Sequence, residues 1–143
     1  MCVHPDDPPY PVFGLPRIIG RAEDIQWMLD AVPNKHNGLT FCAGSFSAGE
    51  HNDCVAMAKQ FADRTHFVHL RSCYIFPNGN FTEASHLGGR GHLIELCRIF
   101  EKAEQEVPLM ALPSALPAES MTPVWKMSEL LASSMSPAVR AAP

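Results

Sequence analysis

Hydrophobic residues recur along the first hundred positions in two alternating patterns. Short β-prone, largely apolar runs alternate with longer segments whose apolar residues have the spacing of an amphipathic helix. The predicted strands end near His4, Cys42 and Leu70, and the predicted helices cover about 22–32, 53–61 and 93–106. This alternation predicts about three βα units around a parallel sheet whose strands are buried on both faces. An open three-layer sandwich and part of a (β/α)₈ barrel both satisfy the pattern.

Two further segments interrupt or follow this pattern. A long loop with a turn at 77–80 is predicted between the third strand and the third helix. Prolines recur throughout 107–143 among Ala, Ser and Met, which predicts an irregular or disordered tail with at most a short helix around 125–131. We therefore expect two regions, a folded α/β region over 1–106 and a tail over 107–143.

Composition excludes several classes of function. The chain has 143 residues and a formal net charge of -4, so it lacks the basic surface that nucleic acids and anionic membranes require. No apolar run approaches the roughly 20 residues of a membrane span, and no signal pattern opens the chain, so we expect a cytoplasmic protein. The five cysteines show no CxxC spacing, which argues against a disulfide framework or a zinc ribbon.

Three residues that can bind metal fall at the ends of the three predicted strands. His4, Cys42 and His69 each lie at or beside a carboxyl end, and that edge of a parallel sheet is where sites are built. Imidazole nitrogen and thiolate sulfur suit a first-row divalent ion such as Zn²⁺, Mn²⁺ or Fe²⁺. Alone, each residue is more often structural, a histidine at the surface or in a hydrogen bond and a cysteine in the core, but the coincidence of three predicts a metal site.

Neighbouring charged residues are candidates for substrate binding. Asp6 and Asp7 follow His4 in a proline-bounded loop, where a carboxylate could bind substrate hydroxyls, orient the imidazole, or simply bond to nearby backbone amides. Arg71 would face the same side as His69 and could bind a substrate carboxylate, with a structural ion pair as the alternative.

Three other polar residues near these positions are weaker candidates. His66 lies three positions before His69, so it is expected to face the opposite side of the sheet and to pack against a helix. Glu83 and His86 lie in the long loop, where functional and merely solvated side chains are both ordinary. The sequence assigns neither of them a role.

Several longer segments resemble the mannonate dehydratase family. The matching segments are HPDDPPYP at 4–11, GLPRI at 14–18, NGLTFCAGS at 37–45, DRTHFVHLR at 63–71 and FTEASHL at 81–87. The resemblance covers about residues 3–105. It implies a partial TIM (β/α)₈ barrel and a hydro-lyase that converts D-mannonate to 2-dehydro-3-deoxy-D-gluconate in hexuronate (glucuronate) catabolism. It also implies Mn²⁺ or Fe²⁺ as cofactor, with His4, Cys42 and His69 as ligands.

The sequence departs from the family pattern at both ends. It begins almost at the first ligand, and after the third helix it lacks the family's Arg-Pro-Asp-His-Gly block, whose Asp supplies a fourth ligand. The continuation from Pro108 resembles a shifted reading frame or a different ending. We therefore expect a fragment that is inactive alone, because about three βα units do not close a barrel.

Two other functions fit the same residues. A metal-dependent sugar isomerase barrel would share strand-end histidines, although carboxylates are more usual there than Cys42. A non-enzymatic remnant with exposed apolar faces is the second alternative. Detection of a 2-keto-3-deoxy acid product would separate the dehydratase from the isomerase.

Overall fold

A computed structural model describes residues 1–106 of the chain. Five strands and four helices follow one another as β1 (Cys2–Val3), α1 (Ala22–Ala31), β2 (Gly38–Cys42), α2 (Ala43–Ser47), α3 (Cys54–Phe61), β3 (Thr65–His69), β4 (Ser72–Ile75), β5 (Phe81–Ala84) and α4 (Leu93–Glu106), with a 3₁₀ turn at Ala62–Arg64. The predicted α/β class is confirmed. The predicted tail, with its short helix around 125–131, lies outside the described residues.

The three predicted strands form one parallel sheet in the order β1-β2-β3. The pairing of β2 with β3 contains a bulge, because Leu39 is opposite Thr65 but Thr40 is opposite Phe67, which leaves His66 unpaired. A bulge shifts every later pair by one residue, and side chains alternate between faces with a period of two. The shift therefore places His69 opposite Cys42, where an unbulged strand would place Val68.

Gly38 provides the space that this bulge requires. A methyl group at Gly38 would lie 2.3 Å from the Arg64 carbonyl oxygen and 2.4 Å from the His66 ring. Such contacts are too short for any side chain, so backbone and ring approach here because the residue is glycine. The predicted packing of His66 against a helix was wrong: the residue is exposed, and its ring lies over Gly38.

Burial differs between the strands. Four of the five residues of β2 are buried, as expected for a central parallel strand. In contrast, β3 has no buried residue, and Phe67 is 40% exposed. Strand β1 has no buried residue either. The prediction that all strands are buried on both faces was therefore wrong for β1 and β3, because both are edge strands of the described sheet.

The segment predicted as a long loop contains a hairpin. Strands β4 and β5 pair antiparallel, with Cys73 opposite Glu83, and the chain reverses around Gly79 at a φ of 83°. Gly89 then passes against the same hairpin at a φ of 70°, where a side chain would meet the Cys73 carbonyl at 2.6 Å. The hairpin thereby fixes the segment that leads into α4.

Helices cover the sheet with their apolar stripes. Helix α1 buries Ile25, Met28 and Leu29, and α4 buries Leu93, Leu96 and Phe100. Phe41 of β2 lies at the centre, with ring centroids 5.0 Å from Phe46 and 5.2 Å from Phe100. Asn52 and Asp53 are both capping residue types, and the cap of α3 is Asp53, whose carboxylate accepts the amides of Val55 and Ala56. No helix among residues 1–106 has the length and apolar character needed to cross a membrane.

Asn37 ties the end of α1 to the start of β2. Its buried side-chain amide donates to the Met28 and Val32 carbonyls at the C-terminal end of α1. Arg64 donates in turn to the Asn37 carbonyl at 2.7 Å. Hydrogen bonds from the Asn37 side chain and from Arg64 therefore hold the start of β2 in place.

Substitution Asn37→Asp is expected to destabilise the fold by at least about 2 kcal/mol, because a carboxylate would replace the donor and face two carbonyls at a helix C-terminus. Urea unfolding at neutral pH measures the change. Asn34→Asp is the matched control, since Asn34 is exposed and its Oδ1 already acts as an acceptor, for the His36 amide. Equal losses in the two variants would contradict the assigned role of Asn37.

Candidate metal centre

The ends of three parallel strands bring three ligand atoms together. His4 follows β1, Cys42 ends β2 and His69 ends β3, and one ligand atom from each lies within 4.8 Å of the other two. Cys42 Sγ lies 3.4 Å from His69 Nδ1, and the two imidazole centroids are 5.8 Å apart. The sequence therefore identified three residues that the structure places in one cluster, with Cys42 buried and the histidines exposed.

The distance between the ligand atoms of Cys42 and His69 fits their binding to one divalent ion. Metal–sulfur and metal–nitrogen bonds of about 2.3 Å and 2.05 Å, at an angle between 90° and 110°, separate S and N by roughly 3.1 to 3.6 Å. The 3.4 Å between Cys42 and His69 falls in that range. The exposed histidines leave one side of the cluster open, which a catalytic site needs for substrate.

A backbone carbonyl orients the first histidine. His4 Nδ1 lies 2.7 Å from the Pro5 carbonyl oxygen, so Nδ1 carries the proton and donates it. The lone pair of Nε2 is then free for an ion. Metal-bound histidines commonly donate their second nitrogen in this manner, which fixes both the tautomer and the ring orientation.

The thiol of Cys42 lies at the start of a short helix. Cys42 is the N-cap of α2, and its sulfur accepts the Ser45 amide at 3.5 Å and faces the Ser45 hydroxyl at 3.2 Å. Two donors of the first turn of α2 therefore face the sulfur atom that a metal ion would bind. The sequence prediction missed α2 and ended the strand in a loop; the helix forms within a fully buried segment.

The electrostatic surroundings of His69 favour its neutral form. Partial desolvation, followed by the nearby His4 and Arg71, lowers the pKa of His69, although Glu83 acts in the opposite direction. Neutral imidazole is the form that coordinates metal ions.

Arg71 lies beside the cluster, paired with two carboxylates. It bonds to Asp7 at 2.5 Å and to Glu83 at 2.6 Å. Desolvation acts to lower the pKa of Arg71, but these hydrogen bonds raise it above the ordinary range. The Arg71 side chain packs against Gly44, where a methyl group would lie 2.2 Å from Arg71 Cγ. No role was predicted for Glu83, and the hairpin that brings it to Arg71 was not predicted either.

The other polar residues singled out from sequence lie apart from this ion pair. Asp6 Oδ2 accepts the amides of Ile18 and Ile19 at 2.7 and 2.8 Å, which is the backbone-bonding alternative left open for it. Asp7, by contrast, lies near the cluster, because its carboxylate contacts the Ser45 hydroxyl and pairs with Arg71. His86 lines a separate open cleft of about 320 Å³ together with His92 and Arg98.

Comparison with known proteins identifies the family of this chain. The family model described as D-mannonate dehydratase (UxuA) matches residues 1–111, which is more than three quarters of the chain. The chain belongs to the D-mannonate dehydratase family. All three clustered residues, as well as Arg71 and its two carboxylate partners, lie within the matched segment.

Several relatives carry the family name. The chain is 53% identical over 96 residues to mannonate dehydratase of Saccharophagus degradans, covering 67% of this chain and 24% of that protein. It is 44% identical over 103 residues to mannonate dehydratase 2 of Agrobacterium fabrum, covering 72% and 26%. The crystal structure of mannonate dehydratase from Streptococcus suis serotype 2 is similar with a TM-score of 0.69 and 34% identity, covering 73% of this chain and 31% of that one. The chain thus spans about a quarter to a third of these D-mannonate dehydratases.

Substitution Gly44→Ala is expected to destabilise this family member by about 1 to 3 kcal/mol, because the new methyl group would displace Arg71 from its carboxylates. Helix propensity alone predicts the opposite sign, since alanine is favoured over glycine in a helix by about 1 kcal/mol. Thermal and urea unfolding measure the change. Gly20→Ala is the control, because its nearest contact is Asp24 Oδ2 at 3.9 Å, and a stabilised Gly44→Ala chain would contradict the Arg71 packing.

Proposed function

We propose that this chain supplies three ligands of the catalytic metal of a D-mannonate dehydratase. The reaction removes water from D-mannonate to give 2-dehydro-3-deoxy-D-gluconate, in hexuronate catabolism in the cytoplasm. The observation that carries the proposal is the convergence of His4, Cys42 and His69 within 4.8 Å in a chain of this family. The proposed cofactor is Mn²⁺ or Fe²⁺, since a mixed imidazole and thiolate set accepts either ion.

Each ligand residue has a distinct task in this proposal. A bound ion would act as a Lewis acid on substrate oxygens. His4 presents Nε2 because Pro5 holds its other nitrogen, and Cys42 presents a thiolate from the N-terminus of α2. His69 binds as a neutral ring on the exposed side, next to the charges that would meet a sugar acid.

Arg71 is the residue we propose to bind the substrate carboxylate. The guanidinium matches a carboxylate in two-point geometry. Its two present partners differ in accessibility, with side-chain exposure of 27% for Asp7 and 63% for Glu83. An exposed ion pair contributes little stability, so a substrate carboxylate could replace Glu83 while Asp7 continues to hold the arginine. Asp6 is a poorer candidate than Arg71, because Oδ2 already serves two backbone amides.

The fold we propose for residues 1–106 is part of a (β/α)₈ barrel. Three parallel strands with their helices support this, as does the likeness to the Streptococcus suis enzyme. In such barrels, sites form at the carboxyl ends of the strands, which is where the three ligands lie. Because the three parallel strands within residues 1–106 do not close a barrel, we propose that the chain binds metal but does not turn over substrate alone.

The purified, reduced chain is expected to bind one Mn²⁺ or Fe²⁺ ion, measured by anaerobic titration and elemental analysis. The triple variant His4→Ala, Cys42→Ser, His69→Ala should lose this binding, because it removes every clustered ligand atom. The matched control is His36→Ala, His51→Ala, Cys97→Ser, which makes the same three types of change outside the cluster and should bind like the parent. Equal binding by both triple variants would refute the proposed ligand set.

The metal-loaded chain is expected to give no 2-keto-3-deoxy acid from D-mannonate, because the described strands form only part of the proposed barrel. Formation of that product, detected by chromatography and absent from the ligand triple variant, would support the reaction and disprove the inactivity of the chain alone.

A further inference from the structure

Ser45 lies beside the proposed ligand Cys42, and both its backbone amide and its hydroxyl face the Cys42 sulfur. The residue is 2% exposed and belongs to the first turn of α2. Its amide nitrogen lies 3.5 Å from Cys42 Sγ and its hydroxyl oxygen lies 3.2 Å from the same sulfur. A buried hydroxyl must use its proton, since an unsatisfied polar group in the interior costs free energy.

The hydroxyl of Ser45 has one proton and two neighbouring acceptors. Besides Cys42 Sγ, it faces Asp7 Oδ2 at 3.3 Å. That distance is long for an O–H···O bond, whose ordinary length is about 2.7 to 2.8 Å, whereas sulfur is a larger atom and 3.2 Å is a close contact with it. Asp7 Oδ2 also accepts the Arg71 guanidinium at 2.5 Å. The proton of Ser45 is therefore better directed to the sulfur.

We propose that Ser45 is a positioning residue for the metal site, whose hydroxyl donates to the Cys42 thiolate and sets how strongly that sulfur binds a divalent ion. This inference rests on the proposed function. A hydrogen bond from O–H stabilises the negative charge that a thiolate ligand carries, and it holds Sγ at the position from which it meets His69. Partners of this kind behind a ligand typically change metal affinity by about 10- to 100-fold when they are removed.

The test uses Co²⁺ as the probe, with the full reduced chain, because a thiolate bound to Co²⁺ gives a sulfur-to-metal charge-transfer band. The parent should show this band and Cys42→Ser should not. In Ser45→Ala we expect the band at longer wavelength, since a thiolate without the O–H donor releases charge more easily, and a Co²⁺ affinity about 10- to 100-fold lower. Ser45→Thr keeps the hydroxyl and should keep the parent band position.

Ser47→Ala is the matched control. Ser47 lies on the same helix and is 1% exposed, but its hydroxyl donates to the Gly44 carbonyl and not to Cys42. The band position of Co²⁺-bound protein is independent of how much of the sample is folded, so it separates a local effect from instability. A Ser45→Ala band at the parent position overturns the inference, as does an equal shift in Ser47→Ala or Ser45→Thr. Absence of the band from the parent overturns the metal site itself and the inference with it.

Discussion

The register between two parallel strands determines whether the candidate metal ligands of this chain lie together. The bulge at His66 displaces the pairing of β3 by one residue, and this displacement sets His69 rather than Val68 opposite Cys42. Since side chains alternate between faces, an unbulged strand would point the imidazole away from the thiol. Gly38 leaves room for the bulge, so a position without any side chain contributes to the geometry of the site.

Much of the architecture could be predicted from hydrophobic periodicity. Strand and helix patterns alternate clearly up to residue 106, and Leu93–Glu106 forms the predicted third helix. Residue type indicates a helix cap at Asn52 or Asp53, before an apolar helical segment, and the cap is Asp53. The clustering of His4, Cys42 and His69 could be anticipated because parallel strands present their carboxyl ends at one edge. Their binding of metal stays a prediction.

The parts that were not predicted depend on contacts distant in sequence. The hairpin did carry a local signal, since β-prone residues flank Asn78 and Gly79, but Pro77 and the polar residues of the loop obscured it. Helix α2 contains Gly and Ser residues, which have low helix propensity. It forms nevertheless, in a segment in which every residue is buried. The bulge and the Arg71 pairing with Asp7 and Glu83 arise from packing, which one-dimensional patterns do not encode.

The most direct test of the central claim, that two imidazoles and one thiolate bind a single ion, is X-ray absorption at the metal edge of the chain loaded with one equivalent of Zn²⁺. The account predicts one sulfur at about 2.3 Å and a nitrogen or oxygen shell at about 2.0 to 2.2 Å that shows imidazole scattering. The Cys42→Ser chain should lose only the sulfur contribution. A parent spectrum with oxygen and nitrogen alone, or with two or more sulfurs, would contradict the assignment of His4, Cys42 and His69 as the ligand set.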